Sequence, residues 1–92
     1  MKYYALIYDL VPDYLQRRVQ FREDHLKLAT EYNKRGELLL AGAFTDPTDR
    51  ALLVFRAEGA GPIEEFVGRD PYVKNNLVAR WEIRPWTVVI GG

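Results

Sequence analysis

The pattern of apolar and polar positions in the first part of the chain predicts one strand followed by one long helix. Tyr3–Asp9 is rich in tyrosine and isoleucine and contains neither glycine nor proline, as is typical of a strand. Asp13 and Gln16 have the spacing of a capping box, and Gly36 stands where a left-handed residue commonly ends a helix. We therefore expect a helix over Tyr14–Arg35.

The rest of the chain predicts a hairpin, a short helix and two extended segments. Leu38–Phe44 and Ala51–Ala57 are apolar runs separated by turn-forming residues, which is the pattern of a hairpin. Ile63–Gly68 is short and amphipathic, so we expect a second helix there. Val78–Pro85 alternates with the period of a strand, and Trp86–Ile90 is predicted to be extended as well.

The order of these elements, β-α-β-β-α-β, predicts an α+β, ferredoxin-like fold. In this fold both helices cover one face of a four-stranded antiparallel sheet. The chain has 92 residues, of which 48% are hydrophobic, and a chain of this size cannot support two cores. We therefore expect one domain over residues 1–92.

The second face of the predicted sheet is also apolar, which favours a homodimer. A strand with one face in water normally alternates between apolar and polar side chains. The first strand instead carries apolar or aromatic side chains on both faces, with Tyr4, Leu6 and Tyr8 on one and Tyr3, Ala5 and Ile7 on the other. Packing two such sheets face to face would cover the second face and form a barrel-like dimer.

Composition excludes several classes of partner and cofactor. Thirteen basic residues balance thirteen acidic ones, so no net positive field attracts nucleic acid or anionic lipid. No apolar stretch is long enough to span a membrane and no secretion signal is visible, so we expect a cytoplasmic protein. With no cysteine and one histidine, the chain predicts no metal site. Gly59–Gly61 precedes a predicted helix but lacks the lysine of a phosphate-binding loop, so no cofactor is predicted either.

Three residues interrupt the apolar half of the first predicted helix. Arg18, Arg22 and His25 form one column there when the helix is drawn at about 100° per residue. A guanidinium is rarely buried without a counter-charge, so we expect an anion nearby, either a protein carboxylate or the acidic group of a ligand. Alternatively, the arginines reach solvent at the helix edge and His25 is structural. If the column is functional, Arg22 and His25 should line one concave site.

Asp70 is the carboxylate with the most informative position. It stands directly before Pro71 and Tyr72, where an aspartate commonly caps a helix whose first residue is proline. A cap would by itself account for the residue.

Three short motifs resemble the YCII-related (YciI-like) family, and they lie in the family's order over nearly the whole chain. They are Arg22–Leu26, Gly36–Gly42 and Asp70–Tyr72. The resemblance implies a ferredoxin-like, dimeric α+β barrel. The family's active site is a histidine and aspartate pair, which corresponds to His25 and Asp70 here.

One residue departs from the family's pattern. Relatives usually follow the Ala-Gly pair of the second motif with proline, whereas this chain has Ala43. We therefore expect the direction in which the chain leaves that strand, and the pocket wall that it forms, to differ from those of relatives with proline. The family also resembles lyases that act on hydroxylated, chlorinated aromatic rings, which implies a histidine general base.

Two functions of different classes follow. The first is a small cofactor-free enzyme, a lyase or isomerase, that transfers a proton on a small acidic or aromatic molecule. Asp70 would then contact His25 and orient its ring, and we expect the ring of His25 to remain mostly neutral at neutral pH. Arg22 and Arg18 would bind substrate, and Tyr72 would line the pocket. The second function is a non-catalytic dimeric module that binds a metabolite or a partner domain.

Overall fold

A computed structural model describes all 92 residues, which form four strands and four α-helices. The elements are β1 (Lys2–Leu10), α1 (Tyr14–Arg17), α2 (Arg22–Lys34), β2 (Leu38–Ala43), β3 (Arg50–Ala57), α3 (Gly61–Arg69), α4 (Pro71–Lys74) and β4 (Val78–Trp86). The sheet order is β2-β3-β1-β4 and all three pairings are antiparallel. The predicted α+β, ferredoxin-like fold is therefore confirmed. None of the helices has the length and apolarity that crossing a membrane requires.

One face of the sheet packs against the helices and forms the core. Successive side chains of a strand point to opposite faces, and alternate residues of β1 and β3 are accordingly buried. The central strands contribute Tyr4, Leu6, Tyr8, Leu53 and Phe55, and the helices contribute Leu28, Tyr32, Ile63 and Phe66. Burial of this apolar surface is the main favourable contribution to folding.

The opposite face of the sheet has no helix over it. The register places Ala5 opposite Val54 and Ile7 opposite Leu52, while Tyr3 lies opposite Arg56 near the end of β3. Val54 is buried by the chain itself, the other apolar residues of this face are partly buried, and Arg56 is exposed. The β4 side of this face is charged and carries Arg80, Glu82 and Arg84. The face is thus apolar over its central strands and polar along one edge.

The long helix predicted over Tyr14–Arg35 is wrong in one respect, because the chain bends within it. A 3-10 turn over Arg18–Gln20 separates α1 from α2. Since a 3-10 turn has three residues per turn, it changes the phase of the side chains that follow. Leu15 and Val19, expected in the apolar half, are 49% and 74% exposed.

The predicted capping box at the start of this helix is also wrong. The side chain of Asp13 makes no capping hydrogen bond and lies 3.8 Å from Arg17 in an ion pair. The guanidinium of Arg17 in turn donates to the carbonyl oxygens of Asn75 and Asn76 at 2.9 and 3.3 Å. The start of the helical segment is therefore held by Arg17. Its end agrees with expectation, since Gly36 has a φ of +80°.

Two further boundaries differ from the predicted ones. Of the segment Trp86–Ile90, only Trp86 belongs to a strand. It pairs with Tyr3, near the start of β1, so the residues after it have almost no strand left to pair with. The helix predicted over Ile63–Gly68 extends to Gly61–Arg69, and the four-residue helix α4 follows it directly.

Candidate active site

A fully buried carboxylate lies at the centre of the candidate site. Asp70 stands between α3 and α4 and has no exposed surface. Its Oδ1 accepts the backbone N–H of Tyr72 at 3.0 Å and lies 2.8 Å from Nδ1 of His25. Its Oδ2 accepts the hydroxyl of Tyr8 at 2.7 Å. Asp70 is therefore a helix cap and the partner of His25 at the same time, and the predicted contact across 45 positions is confirmed.

The hydrogen bond to Asp70 fixes the orientation of the imidazole of His25. Because a carboxylate only accepts hydrogen bonds, the hydrogen of the neutral ring resides on Nδ1 and the lone pair on Nε2. Nε2 makes no hydrogen bond within the chain and is not among the fully buried polar atoms. The ring stacks on Tyr72 with centroids 3.9 Å apart and planes 8° from parallel. In that tautomer the acceptor nitrogen of His25 is Nε2, which has no hydrogen-bond partner within the chain.

Tyr8 is a site residue that the sequence pattern did not indicate. Its hydroxyl completes the hydrogen bonds of Asp70, and its pKa is raised far above the usual value, by burial first and by the Asp70 carboxylate second. The hydroxyl therefore stays protonated and remains a donor. One signal was present in the sequence, since a tyrosine on the buried face of a strand needs a partner for its hydroxyl.

A cavity of about 140 Å³ adjoins His25. Its walls are aromatic, and the sheet side is lined by small residues of β2 and β3. The lining includes Tyr8, Tyr14, Tyr72, Ala41, Gly42, Ala43 and Ala51. The small side chains leave the space that larger ones would fill. A dry cavity of about 150 Å³ can hold benzene, so this volume suits a single six-membered ring.

Arg18 and Arg22 line the same cavity as His25, which confirms the predicted shared concave site. Arg22 is exposed and Arg18 is only partly buried, so both side chains reach solvent at the helix edge, which is the alternative that the sequence left open. No carboxylate of the chain forms an ion pair with either one. Arg18 packs over the ring of Tyr14, 5.4 Å from its centroid.

Ala43, the residue that replaces the family's usual proline, ends β2 in a regular pairing with Ala51. Both side chains line the cavity, so the strand itself forms that wall. No three His, Asp or Glu side chains of the chain come together in a way that could hold a metal ion.

This chain resembles known proteins in sequence family and in fold. The model of the YCII-related domain matches residues 1–87. A solved structure of the 5-chloro-2-hydroxyhydroquinone dehydrochlorinase from Burkholderia phenoliruptrix, in complex with 2,5-dihydroxybenzoquinone, superposes with a TM-score of 0.77 at 19% identity, covering 92% of this chain and 93% of that one. At this identity the likeness shows a common fold. No curated protein sequence matches significantly. The match over residues 1–87 shows that the chain belongs to the YCII-related family.

Proposed function

We propose that this protein transfers a proton on a small acidic or aromatic molecule, as a lyase or isomerase, with His25 as the general base. The observation that carries the proposal is the 2.8 Å contact between Nδ1 of His25 and Asp70 at the edge of a cavity. A carboxylate on one imidazole nitrogen leaves the other free to accept a proton, as general bases require.

The proposed reaction begins when a C–H or O–H bond of the substrate breaks. Nε2 of His25 takes the proton, and the electron pair stays on the substrate as an enolate or phenolate. Asp70 then stabilises the imidazolium, which would otherwise be a new charge in a partly buried place. Arg22 and Arg18, which have no carboxylate partner in the chain, stabilise the negative oxygen. Side chains supply both the base and the counter-charge, so we propose a reaction without a cofactor.

The structural neighbour provides an example of such chemistry on the same fold. It is a dehydrochlorinase whose substrate is a hydroxylated, chlorinated ring. Elimination of hydrogen chloride is a lyase reaction that needs a base for the proton. We carry over the reaction type as a proposal and leave the substrate of this chain open within the class of small acidic or aromatic molecules.

The alternative is a dimeric module that binds a metabolite or a partner domain without catalysis. A module of that kind could have the volume beside His25 filled by side chains, whereas the chain leaves about 140 Å³ open. The open volume favours a small molecule over a partner domain. The two functions can be distinguished experimentally: an enzyme of this kind exchanges protons of the bound molecule with solvent, whereas a binding module does not.

Exchange of substrate protons with solvent tests the proposal. Small phenolic and keto acids are first screened for thermal stabilisation of the protein, because a ligand of the folded state raises the midpoint of unfolding. The stabilising compounds are then incubated in deuterium oxide with the protein and followed by proton NMR.

We expect the protein to accelerate the loss of an exchangeable C–H signal, and we expect the exchange rate to fall at least about 100-fold with His25→Ala. Lys34→Ala, an exposed change on the same helix, is the control. Equal exchange by His25→Ala would refute a base role.

We also propose that the protein is a homodimer whose two sheets pack face to face. The support is the face of β1 and β3 that no helix covers, where Tyr3, Ala5, Ile7 and Leu52 are only partly buried by the chain itself. An apolar surface of this kind normally marks an interface. A second copy would cover the apolar centre and leave the charged β4 edge near solvent.

A further inference from the structure

One buried polar group in the site lacks a partner within the chain. Tyr72 is only 2% exposed, and its hydroxyl makes no hydrogen bond. A buried hydroxyl without a partner costs free energy, and such groups are rare in folded proteins. The ring is held from both sides, stacked on His25 at 3.9 Å and met edge-on by Tyr14 at 5.6 Å. The ring that carries the hydroxyl is therefore held in place by two aromatic contacts.

The surroundings of this hydroxyl favour a negatively charged oxygen. Tyr72 lines the cavity together with Arg18 and Arg22, and neither arginine has a carboxylate partner. Burial, as the largest cause, and the neighbouring Tyr14 raise the pKa of Tyr72 to about 12 although Arg22 and Arg18 lower it, so the hydroxyl stays protonated at neutral pH and can donate. A protonated donor beside two uncompensated cations matches an anion better than a neutral group.

We propose that the Tyr72 hydroxyl donates a hydrogen bond to the ionised oxygen of a single-ring phenol or enol, next to the nitrogen of His25 that takes the proton. This inference rests on the proposed function and assigns Tyr72 a catalytic contact. The donor is in place before charge develops, so it stabilises the phenolate or enolate more than the neutral molecule.

Binding of para-nitrophenol tests the assignment without any turnover, because its phenolate absorbs visible light and its neutral form does not. We expect the wild-type protein to bind the phenolate in preference to the neutral form, so the bound probe ionises at a lower pH than the free one. Tyr72→Phe keeps the ring and its stacking and removes only the hydroxyl. It should weaken phenolate binding about tenfold, as expected for a hydrogen bond to a charged group.

Tyr4→Phe is the matched control, because Tyr4 is a buried tyrosine that does not line the cavity. It should leave phenolate binding unchanged.

A second comparison uses the wild-type protein alone. Para-nitroanisole, which cannot ionise, should bind at least about tenfold more weakly than para-nitrophenolate. This comparison can contradict the proposal even if a variant does not fold, and the Tyr72→Phe variant separates the hydroxyl from the arginines.

Two results would overturn the assignment. One is equal phenolate binding by the wild-type protein and Tyr72→Phe; the other is no preference of the wild-type protein for the phenolate up to millimolar concentration. Failure of the proposed function looks different, because it shows as proton exchange that survives His25→Ala. The two proposals can therefore fail separately.

Discussion

At the scale of single residues, Asp70 determines the arrangement of the site. Its two oxygens accept from the hydroxyl of Tyr8 and from the backbone of Tyr72, and one of them also contacts His25. A buried carboxylate is stable only when donors and counter-charge compensate for lost hydration. No lysine or arginine forms an ion pair with Asp70, so the groups that compensate for its lost hydration are the hydroxyl of Tyr8, the backbone N–H of Tyr72 and the ring of His25.

Two substitutions of Asp70 separate its structural role from its chemical one. Asp70→Ala removes the acceptor of three hydrogen bonds, and we expect a loss of about 3 kcal/mol in the free energy of unfolding, measured with urea. Asp70→Asn keeps the shape and can still accept the N–H of Tyr72, so its loss should be smaller. It cannot stabilise an imidazolium, and proton exchange should fall at least about 100-fold. If Asp70→Asn exchanged substrate protons at the wild-type rate, Asp70 would serve only as a helix cap.

At the scale of elements, β2 and β3 create the cavity by carrying small residues on the face toward α2. Ala41, Ala43 and Ala51 line the space, and the antiparallel register puts Ala43 directly opposite Ala51. Close packing normally fills such positions with larger side chains. The cavity therefore exists because the hairpin of β2 and β3 carries small side chains at these positions. The polar groups of the site come from the helical segments and from β1.

Two alanines of β3 provide a matched pair for testing this missing volume. Ala51 and Ala57 are both buried on the helix-facing side, but only Ala51 lines the cavity. Ala51→Leu should place its added methyl groups in the open space, lower stability by less than about 1 kcal/mol and abolish ligand binding. Ala57→Leu has no such space and should cost about 1–3 kcal/mol. Thermal unfolding and ligand titration measure both. If Ala51→Leu were as destabilising as Ala57→Leu, the cavity would be closed in solution.

Sequence patterns predicted the elements well where the hydrophobic period and the turn-forming or capping residues indicated the same boundary. The four strands and the end of the long helical segment at Gly36 were predicted in this way, and the pairing of His25 with Asp70 came from the family's motifs. The bend at Arg18–Gln20 was not predictable, because it depends on the contact of Arg17 with backbone carbonyls 58 and 59 positions away in sequence. Tyr8 was missed for a similar reason. Its role depends on a tertiary partner, and periodicity identifies only the face on which a residue lies.

At the scale of the whole molecule, the two faces of the sheet have different surroundings. The face under the helices holds the core and the cavity, whereas the other face is apolar at its centre, where Ile7 pairs with Leu52. A small domain buries a modest share of its surface and has no disulfide to support it. Burying the second face between two copies would add stability without touching the cavity.

Sedimentation velocity tests the proposed dimer. We expect a dimer at micromolar concentration, and we expect Leu52→Lys to raise its dissociation constant at least about tenfold by placing a charge in the apolar centre. Val89→Lys, at an exposed position after β4, is the control and should leave the dimer intact. A wild-type monomer at micromolar concentration, with circular dichroism of a folded protein, would contradict the face-to-face arrangement.

The positions of the hydrogens on the ring of His25, the single histidine of the chain, test whether it can act as a base. With nitrogen-isotope labelling, NMR resolves the two ring nitrogens without assignment to competing residues. We expect hydrogen on Nδ1 and none on Nε2 in the free protein at neutral pH, and protonation of Nε2 when an acidic phenol binds. A ring that is already doubly protonated in the free protein, or that carries its hydrogen on Nε2, would contradict a base role, because neither form can take a proton from a bound substrate.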